Sequence, residues 1–326
     1  MRKHRIAMVC PYFGTLPWYF NLFLKSCEWN PEVDFFFISD TTFIADLPKN
    51  VKLIQTTLPE IVERLRSKLL LSIDFEDPYK LCDFKPTYGY VFSDLLPQEL
   101  YSFWGYCDID VVFGKIANFI TDELLNLYDL ISVRHEYTAG FFMLYKNDER
   151  INTLFKQSAD YKRVFESHKN FCFDECSYHH RDLINGKPIE EVKNHVDAMT
   201  FVVNSNLVNG KIKALFELFS LEGSFRNVTW SNGVLTCNGK YEALLYHLIT
   251  IKNKPQFNKY WCNVVPESFT ILPSSLQFNE NANSFMEVTL PRLNKEKYLF
   301  DKEVQVVFGP YPKSTSGRFR TCGVKS

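Results

Sequence analysis

The sequence carries no surplus of either charge. Its 37 Lys and Arg residues face 38 Asp and Glu residues, for a net charge of −1. A chain so balanced has no electrostatic footprint for wrapping nucleic acid, and no nucleic-acid partner is expected. No run approaches the ~18 apolar residues of a membrane span. The start, MRKHRIAMVCPYFG, has basic residues but only a short apolar run before Pro11, too short for the core of a signal peptide. Internal repeats and low-complexity segments are missing. There is no Gly-rich phosphate loop after the first apolar run, where CPYFGTLPW stands instead. The nine Cys are odd in number and scattered through apolar runs, so they read as reduced thiols of a cytoplasmic protein. Asn227-Val-Thr229 matches a glycosylation acceptor but has no secretory route to give it meaning.

What the chain does have is a globular composition, 46% hydrophobic and 23% charged, with 30 Phe and 17 Tyr for a large core or stacking surfaces. Its length suits one large domain or a domain plus an appendage. Strand patterns at 5–13, 33–40, 51–57, 103–114, 129–134 and 140–146 alternate with helical patterns at 17–30, 58–70, 83–96, 121–128 and 148–165. That alternation predicts an α/β fold, with a mainly parallel sheet covered by helices on both faces. After Pro255 the pattern changes. The division expected is a catalytic domain over 1–255 and an extension over 256–326, with short strands across 262–310 and a loose basic tail, GRFRTCGVKS, at its end.

Ligands of parallel sheets bind at the carboxyl ends of the strands. The segment FWGYCDIDVVFG (103–114) is therefore informative: it reads as buried strand yet carries Asp108 and Asp110. If the strand ran through both, their side chains would point the same way. Two buried carboxylates repel, and a divalent cation removes that cost; oxygen ligands suit Mg²⁺ or Mn²⁺. The plainer reading of Asp-Ile-Asp is a solvated strand end.

The order of strand plus Pro-Tyr-Phe-Gly, then PYKLCDFKPTYGYVF (78–92), then FWGYCDIDVVFG resembles nucleotide-sugar glycosyltransferases of the GT-A fold. More narrowly, it is similar to a bacterial family encoded in surface-polysaccharide (capsule and O-antigen) clusters. The resemblance covers roughly residues 5–255 and is most specific at 78–92 and 103–114. It implies a metal-dependent hexosyltransferase with Mn²⁺ or Mg²⁺ as cofactor. Its donor would be a UDP-sugar, with galactose first in line and inversion favoured. Its acceptor would be a glycan or lipid-linked glycan at the inner membrane face.

It also implies residue roles. Asp110 would be the direct metal ligand, and Asp108 would contact the metal or the ribose. Lys80, Asp83 and Lys85 would touch the nucleotide and sugar. His247 would be a third metal ligand, followed by a lysine on the diphosphate, with Lys252 and Lys254 both open. Tyr12 and Phe13 would stack on the base, Asp40 would meet uracil or ribose, and Gly140 would let sugar or backbone come close.

The stretch NFCFDECSYHH (170–180) offers Asp174 or Glu175 as the base of an inverting transfer, since burial raises a carboxylate toward a useful range. Plainer roles exist for each: a core His on an amphipathic helix, helix caps, packed aromatics, a surface turn. The same stretch suggests zinc through Cys172, Cys176, His179 and His180, but one short helix rarely wraps a tetrahedral ion and no second ligand pair accompanies it. Two other classes remain as alternatives. A sugar nucleotidyltransferase or other metal-dependent phosphate enzyme would also use paired carboxylates. A non-catalytic glycan-binding protein would use the aromatics alone.

Overall fold

The computed structural model describes residues 4–42, 47–223, 227–260 and 264–279. Taken in chain order, the strands begin with β1 (Ile6–Pro11), β2 (Val33–Ser39), β3 (Val51–Gln55), β4 (Phe103–Cys107) and β5 (Val111–Phe113). They continue with β6 (Leu130–Ser132), β7 (Phe142–Lys146), β8 (Ala214–Phe216), β9 (Ser220–Glu222) and β10 (Val228–Ser231). The last are β11 (Val234–Cys237), β12 (Tyr241–Glu242), β13 (Leu245–His247), β14 (Ser268–Ile271) and β15 (Leu276–Phe278).

The main sheet has the order β3-β2-β1-β4-β7-β6-β8. Only β7 runs against the others, pairing antiparallel with both β4 and β6. The protein is thus a mixed α/β protein with a mainly parallel seven-stranded sheet flanked by helices. Both faces of the sheet are covered. Along β1, Ile6, Met8 and Cys10 enter one core cluster, while Ala7 and Val9 enter the other. Such double burial is why β1 and β2 read as continuous apolar runs rather than alternating ones. Helix α1 (Phe20–Glu28) covers the first face through Phe20, Phe23 and Cys27. Helix α2 (Leu58–Leu69) covers the second through Ile61, Val62 and Leu65. It starts at a capping box in which Thr57 accepts from the Glu60 N–H and the Glu60 carboxylate accepts from the Thr57 N–H.

The single strand expected over 103–114 is two strands in two sheets. Strand β4 stays in the main sheet, the chain bends at Asp108–Asp110, and β5 joins a small sheet of order β5-β13-β9. Asp108 and Asp110 therefore do not share a strand face; they sit on the bend between sheets. The helix expected over 83–96 is instead the end of a 3₁₀ segment, Pro78–Thr87, which contains Pro86, followed by one α-helical turn, Tyr88–Val91. The helix expected over 148–165 is broken into Glu149–Asn152, Leu154–Gln157 and Tyr161–Phe165.

A third sheet, β12-β11-β10-β14-β15, crosses the boundary expected at residue 255, since β10 pairs with β14. It is tied to the core at Trp230, which stacks on Phe269 at 5.1 Å and donates its indole N–H to the Phe113 carbonyl. Residues up to Phe278 therefore share one core with the earlier chain. The expected strands beyond residue 279 and the basic tail lie outside the described residues. No helix among the described residues is long and apolar enough to cross a membrane.

Candidate functional site

The small sheet builds the site by register. His247 pairs with Val111 on one side and with Glu222 on the other. That places Asp110, Glu222 and His247 side by side at one end of three short strands. The Leu248 N–H donates to the Asp110 carbonyl at 2.8 Å and locks the bend. His247 sits with one ring nitrogen 3.4 Å from an Asp110 oxygen and the other 2.7 Å from a Glu222 oxygen. Phe141 stacks on its ring at 4.2 Å. Glu222 in turn is paired with Arg134, which also holds Glu136. Lys252 donates to the same Asp110 oxygen at 2.6 Å.

Asp110 is buried, and His247 and Lys252 hold its carboxyl well below the usual range against the cost of burial. Asp110 and Glu222 raise His247 from 6.5 to about 9 although burial works the other way. Asp108 stands beside this group, half-exposed, and accepts from Lys85 at 2.6 Å. Lys85 also donates to the Gly140 carbonyl at 2.8 Å and lies 3.7 Å from Asp174.

Metal ligand atoms from Asp108, Asp110 and His247 lie within 4.8 Å of one another. One Asp110 oxygen, Oδ1, is buried with no hydrogen-bond partner. A buried carboxylate oxygen without a donor is costly, and a cation would relieve it. The ring nitrogen of His247 that faces away is held by the Glu222 carboxylate, the usual support for a metal-binding imidazole. Two carboxylates and one imidazole fit Mn²⁺, and the oxygens fit Mg²⁺.

A cation needs the neutral imidazole, so its apparent affinity should rise as pH goes from 6.5 toward about 9, with release of a proton. Mn²⁺ calorimetry in two buffers of different ionisation heat reads that proton directly. In the metal-free protein the sign is opposite. The raised His247 contributes stability that is complete below 6.5 and lost as pH passes about 9.

The other expected residues divide. Lys252 reaches the cluster, whereas Lys254 donates to the Pro273 carbonyl on the surface. Tyr12 is half-buried near Lys252 and Asp110, with its hydroxyl donating to the Thr15 carbonyl. Asp40 accepts from the Gly14 N–H at 3.0 Å and so fixes the loop after β1 at the rim. Phe13 is a core residue packed with Ala7, Val9 and Ile38, so the expected stacking on a base does not apply to it.

Lys80 and Asp83 also depart from expectation. They form a fully buried ion pair at 2.8 Å that faces the interior. Asp83 accepts from the Phe171 and Phe173 N–H groups, and Lys80 donates to the Val164 and Lys169 carbonyls. The pair braces the 164–173 segment and has no donor left for a nucleotide.

Asp174 and Glu175 both reach the site from the far side of Gly140. The Gly140 N–H donates to Glu175 at 2.8 Å, and His180 pairs with its other oxygen at 2.7 Å. His180 and these hydrogen bonds hold Glu175 down at about 2, despite burial. Burial pushes Asp174 well up, with Lys85 opposing and Glu175 adding to the rise. Glu175 is thus lowered and surrounded by donors, whereas Asp174 is raised. Of the two, Asp174 shows the rise by burial expected of a base, and Glu175 does not. A Cβ on Gly140 would lie 2.9 Å from both carboxylates, which are pinned. Gly140→Ala should cost about 1–3 kcal/mol, read as a lowered melting temperature.

Of the four residues that suggested zinc, Cys172 and His180 approach each other. Cys176 is buried in a separate small core, and His179 faces Asp182 at 3.2 Å. Glu222 and Arg134 escaped the sequence reading. Glu222 had a signal, since it ends the apolar run LFSLE as Asp108 ends FWGYC. Arg134 had none beyond a charge after a short strand.

Together these features define a mixed α/β protein with a buried carboxylate–imidazole–ammonium cluster where β4 leaves its sheet. The chain belongs to the family described as "Family of unknown function (DUF6625)", whose model matches residues 8–280. No curated protein sequence matches it.

Proposed function

We propose that the protein is a metal-dependent glycosyltransferase of the GT-A type, moving a hexose from a UDP-sugar to a cell-surface glycan or lipid-linked glycan. The observation that carries the reading is the convergence of Asp108, Asp110, His247 and Lys252, with Asp110 Oδ1 left without a donor. A divalent cation held there neutralises charge on a diphosphate leaving group. Lys252, on a side chain partly open to solvent, can turn from Asp110 to a phosphate oxygen as negative charge builds on it. Lys85 keeps Asp108 oriented. Tyr12 and Asp40, at the rim, are the groups left to meet the nucleotide.

A sugar nucleotidyltransferase could use the same cluster, but the Pro-Tyr-Phe-Gly turn after β1 is not the phosphate loop such an enzyme needs. A glycan-binding protein would need no convergence of this kind. Glu175 is held by its donors and Asp174 is raised by burial beside Lys85, and the proposal covers transfer and not its stereochemistry.

Thermal unfolding of the protein with nucleotides and nucleotide-sugars, each with Mn²⁺ and with EDTA, tests the reading. A Mn²⁺-dependent rise with UDP and UDP-sugars is expected, with UDP-galactose the first to try. A flat panel would sink the proposal. A rise confined to nucleoside triphosphates would move it to nucleotidyl transfer.

A further inference from the structure

We propose that the 172–180 loop forms a second metal site, distinct from the Asp108–Asp110–His247 cluster, that takes Zn²⁺ through Cys172, Glu175 and His180. The three ligand atoms lie within 4.8 Å of one another. Cys172 Sγ is 3.7 Å from His180 Nε2 and 3.2 Å from Glu175 Oε2, and Nε2 is 2.7 Å from Oε2. Tetrahedral zinc, with Zn–S near 2.3 Å and Zn–N or Zn–O near 2.1 Å, sets sulfur roughly 3.6 Å and nitrogen roughly 3.4 Å from their neighbouring ligands. The sulfur–nitrogen edge already fits, and the sulfur–oxygen edge, at 3.2 Å, has to open by roughly 0.4 Å. The nitrogen–oxygen edge has to open by roughly 0.7 Å, the change expected when a metal replaces the proton shared by an imidazole and a carboxylate.

The supports of such a site are also in place. The second oxygen of Glu175 is anchored by the Gly140 N–H at 2.8 Å, so Oε2 is held toward sulfur and nitrogen. The Tyr137 ring stands edge-on to His180 at 4.9 Å and fixes the imidazole plane. Such outer partners are what orient metal ligands. The backbone is bent to make the approach: Cys172, Ser177 and Tyr178 all have left-handed φ values, 53°, 48° and 66°, without being glycine. Strain of that kind persists only where the surroundings hold it. The Glu175 and His180 side chains are 19% and 15% exposed, which leaves a path for a fourth ligand from solvent.

The donor set decides the metal. Thiolate, imidazole and carboxylate select a borderline-soft ion, while the two-carboxylate cluster suits Mn²⁺ or Mg²⁺. Binding expels the thiol proton to solvent, since the thiolate is the ligand, and moves the proton between His180 Nε2 and Glu175 to the other ring nitrogen or to solvent. The chain would thus sort two metals into two sites, with Gly140 between them: its N–H on Glu175 and its carbonyl on Lys85, the partner of Asp108.

Cobalt titration of the metal-free full chain tests this. Co²⁺ is expected to bind with a thiolate-to-cobalt charge-transfer band that Zn²⁺ abolishes by displacement. The band should persist in Asp110→Asn and in Cys176→Ser, and vanish in Cys172→Ser. His180→Asn keeps the thiol, so it serves if Cys172→Ser does not fold. It should weaken Co²⁺ binding by more than the roughly 10–100-fold that loss of a supporting group costs. Absence of the band overturns the proposal, as does a band that survives Cys172→Ser or an affinity unmoved in His180→Asn. Because Asp110→Asn removes only the first cluster, failure here and failure of the glycosyltransferase reading are separate results.

Discussion

Asp110→Asn should abolish the Mn²⁺-dependent thermal shift with UDP while leaving a folded protein. At ligand 100 times its Kd that shift corresponds to about 2.7 kcal/mol, so the expected change is from several degrees to none. The residue carries the unpartnered oxygen, and it is also the shared partner of His247 and Lys252. Losing one partner of a buried pair can cost about 3–5 kcal/mol. Here the cost should fall short of that, because His247 keeps Glu222 and Lys252 can swing to water. The metal-free melting temperature should therefore drop modestly while ligand response disappears. A variant that still shifts with Mn²⁺ and UDP would remove Asp110 from the site.

The second large effect is on folding. Asp83→Asn or Lys80→Met should destabilise by about 3–5 kcal/mol, because each leaves a buried charge without its counter-ion. Burial alone pulls Lys80 down and pushes Asp83 up, so desolvation outweighs the pairing. By that reasoning an apolar double replacement, Lys80→Met with Asp83→Leu, would restore stability. We expect it not to. Four backbone groups use this pair, namely the N–H groups of Phe171 and Phe173 and the carbonyls of Val164 and Lys169. Each orphaned group costs about 1–3 kcal/mol. Urea unfolding of the two single variants and the double variant decides it; a double variant as stable as the parent would mean that the segment finds other partners.

The contrast between Asp110 and Asp83 shows what was legible in the sequence. Both are carboxylates in apolar surroundings, near aromatics and near a lysine. Periodicity correctly places β1 and β2, because a strand buried on both faces is one long apolar run, and it also places β3, an edge strand with only Val51 buried. The carboxylates Asp108 and Asp110 stand out inside an apolar run, while His247 and Lys252 come into consideration only through the resemblance to GT-A glycosyltransferases. Periodicity misses that the 103–114 run breaks at Asp108 into two sheets, since Val111, Val112 and Phe113 look the same whichever sheet they join. Lys80 and Asp83 were misplaced for a similar reason. Spacing sets two residues on one face of a helical segment, but packing decides whether that face looks out or in. Phe13 could not be told from Tyr12 by type, and burial separates them. Glu222 had a local signal at the end of LFSLE, but its place beside His247 comes from the pairing of β9 with β13, which no local pattern reveals.

The small sheet has a further consequence for the making of the protein. Asp110 and Lys252 are 142 residues apart, and Arg134 and Glu222 are 88 apart. Every strand of the seven-stranded sheet has been synthesised by Phe216, yet β13, which carries His247, begins only at Leu245. A nascent chain can therefore complete its main sheet while the Asp108–Asp110–His247 cluster still lacks its histidine. A cation at this cluster could not template early folding; its binding would require that translation has run past His247 and that β13 has slotted between β5 and β9. A product ending before that point would carry the seven-stranded sheet without the His247 and Lys252 arms of the cluster.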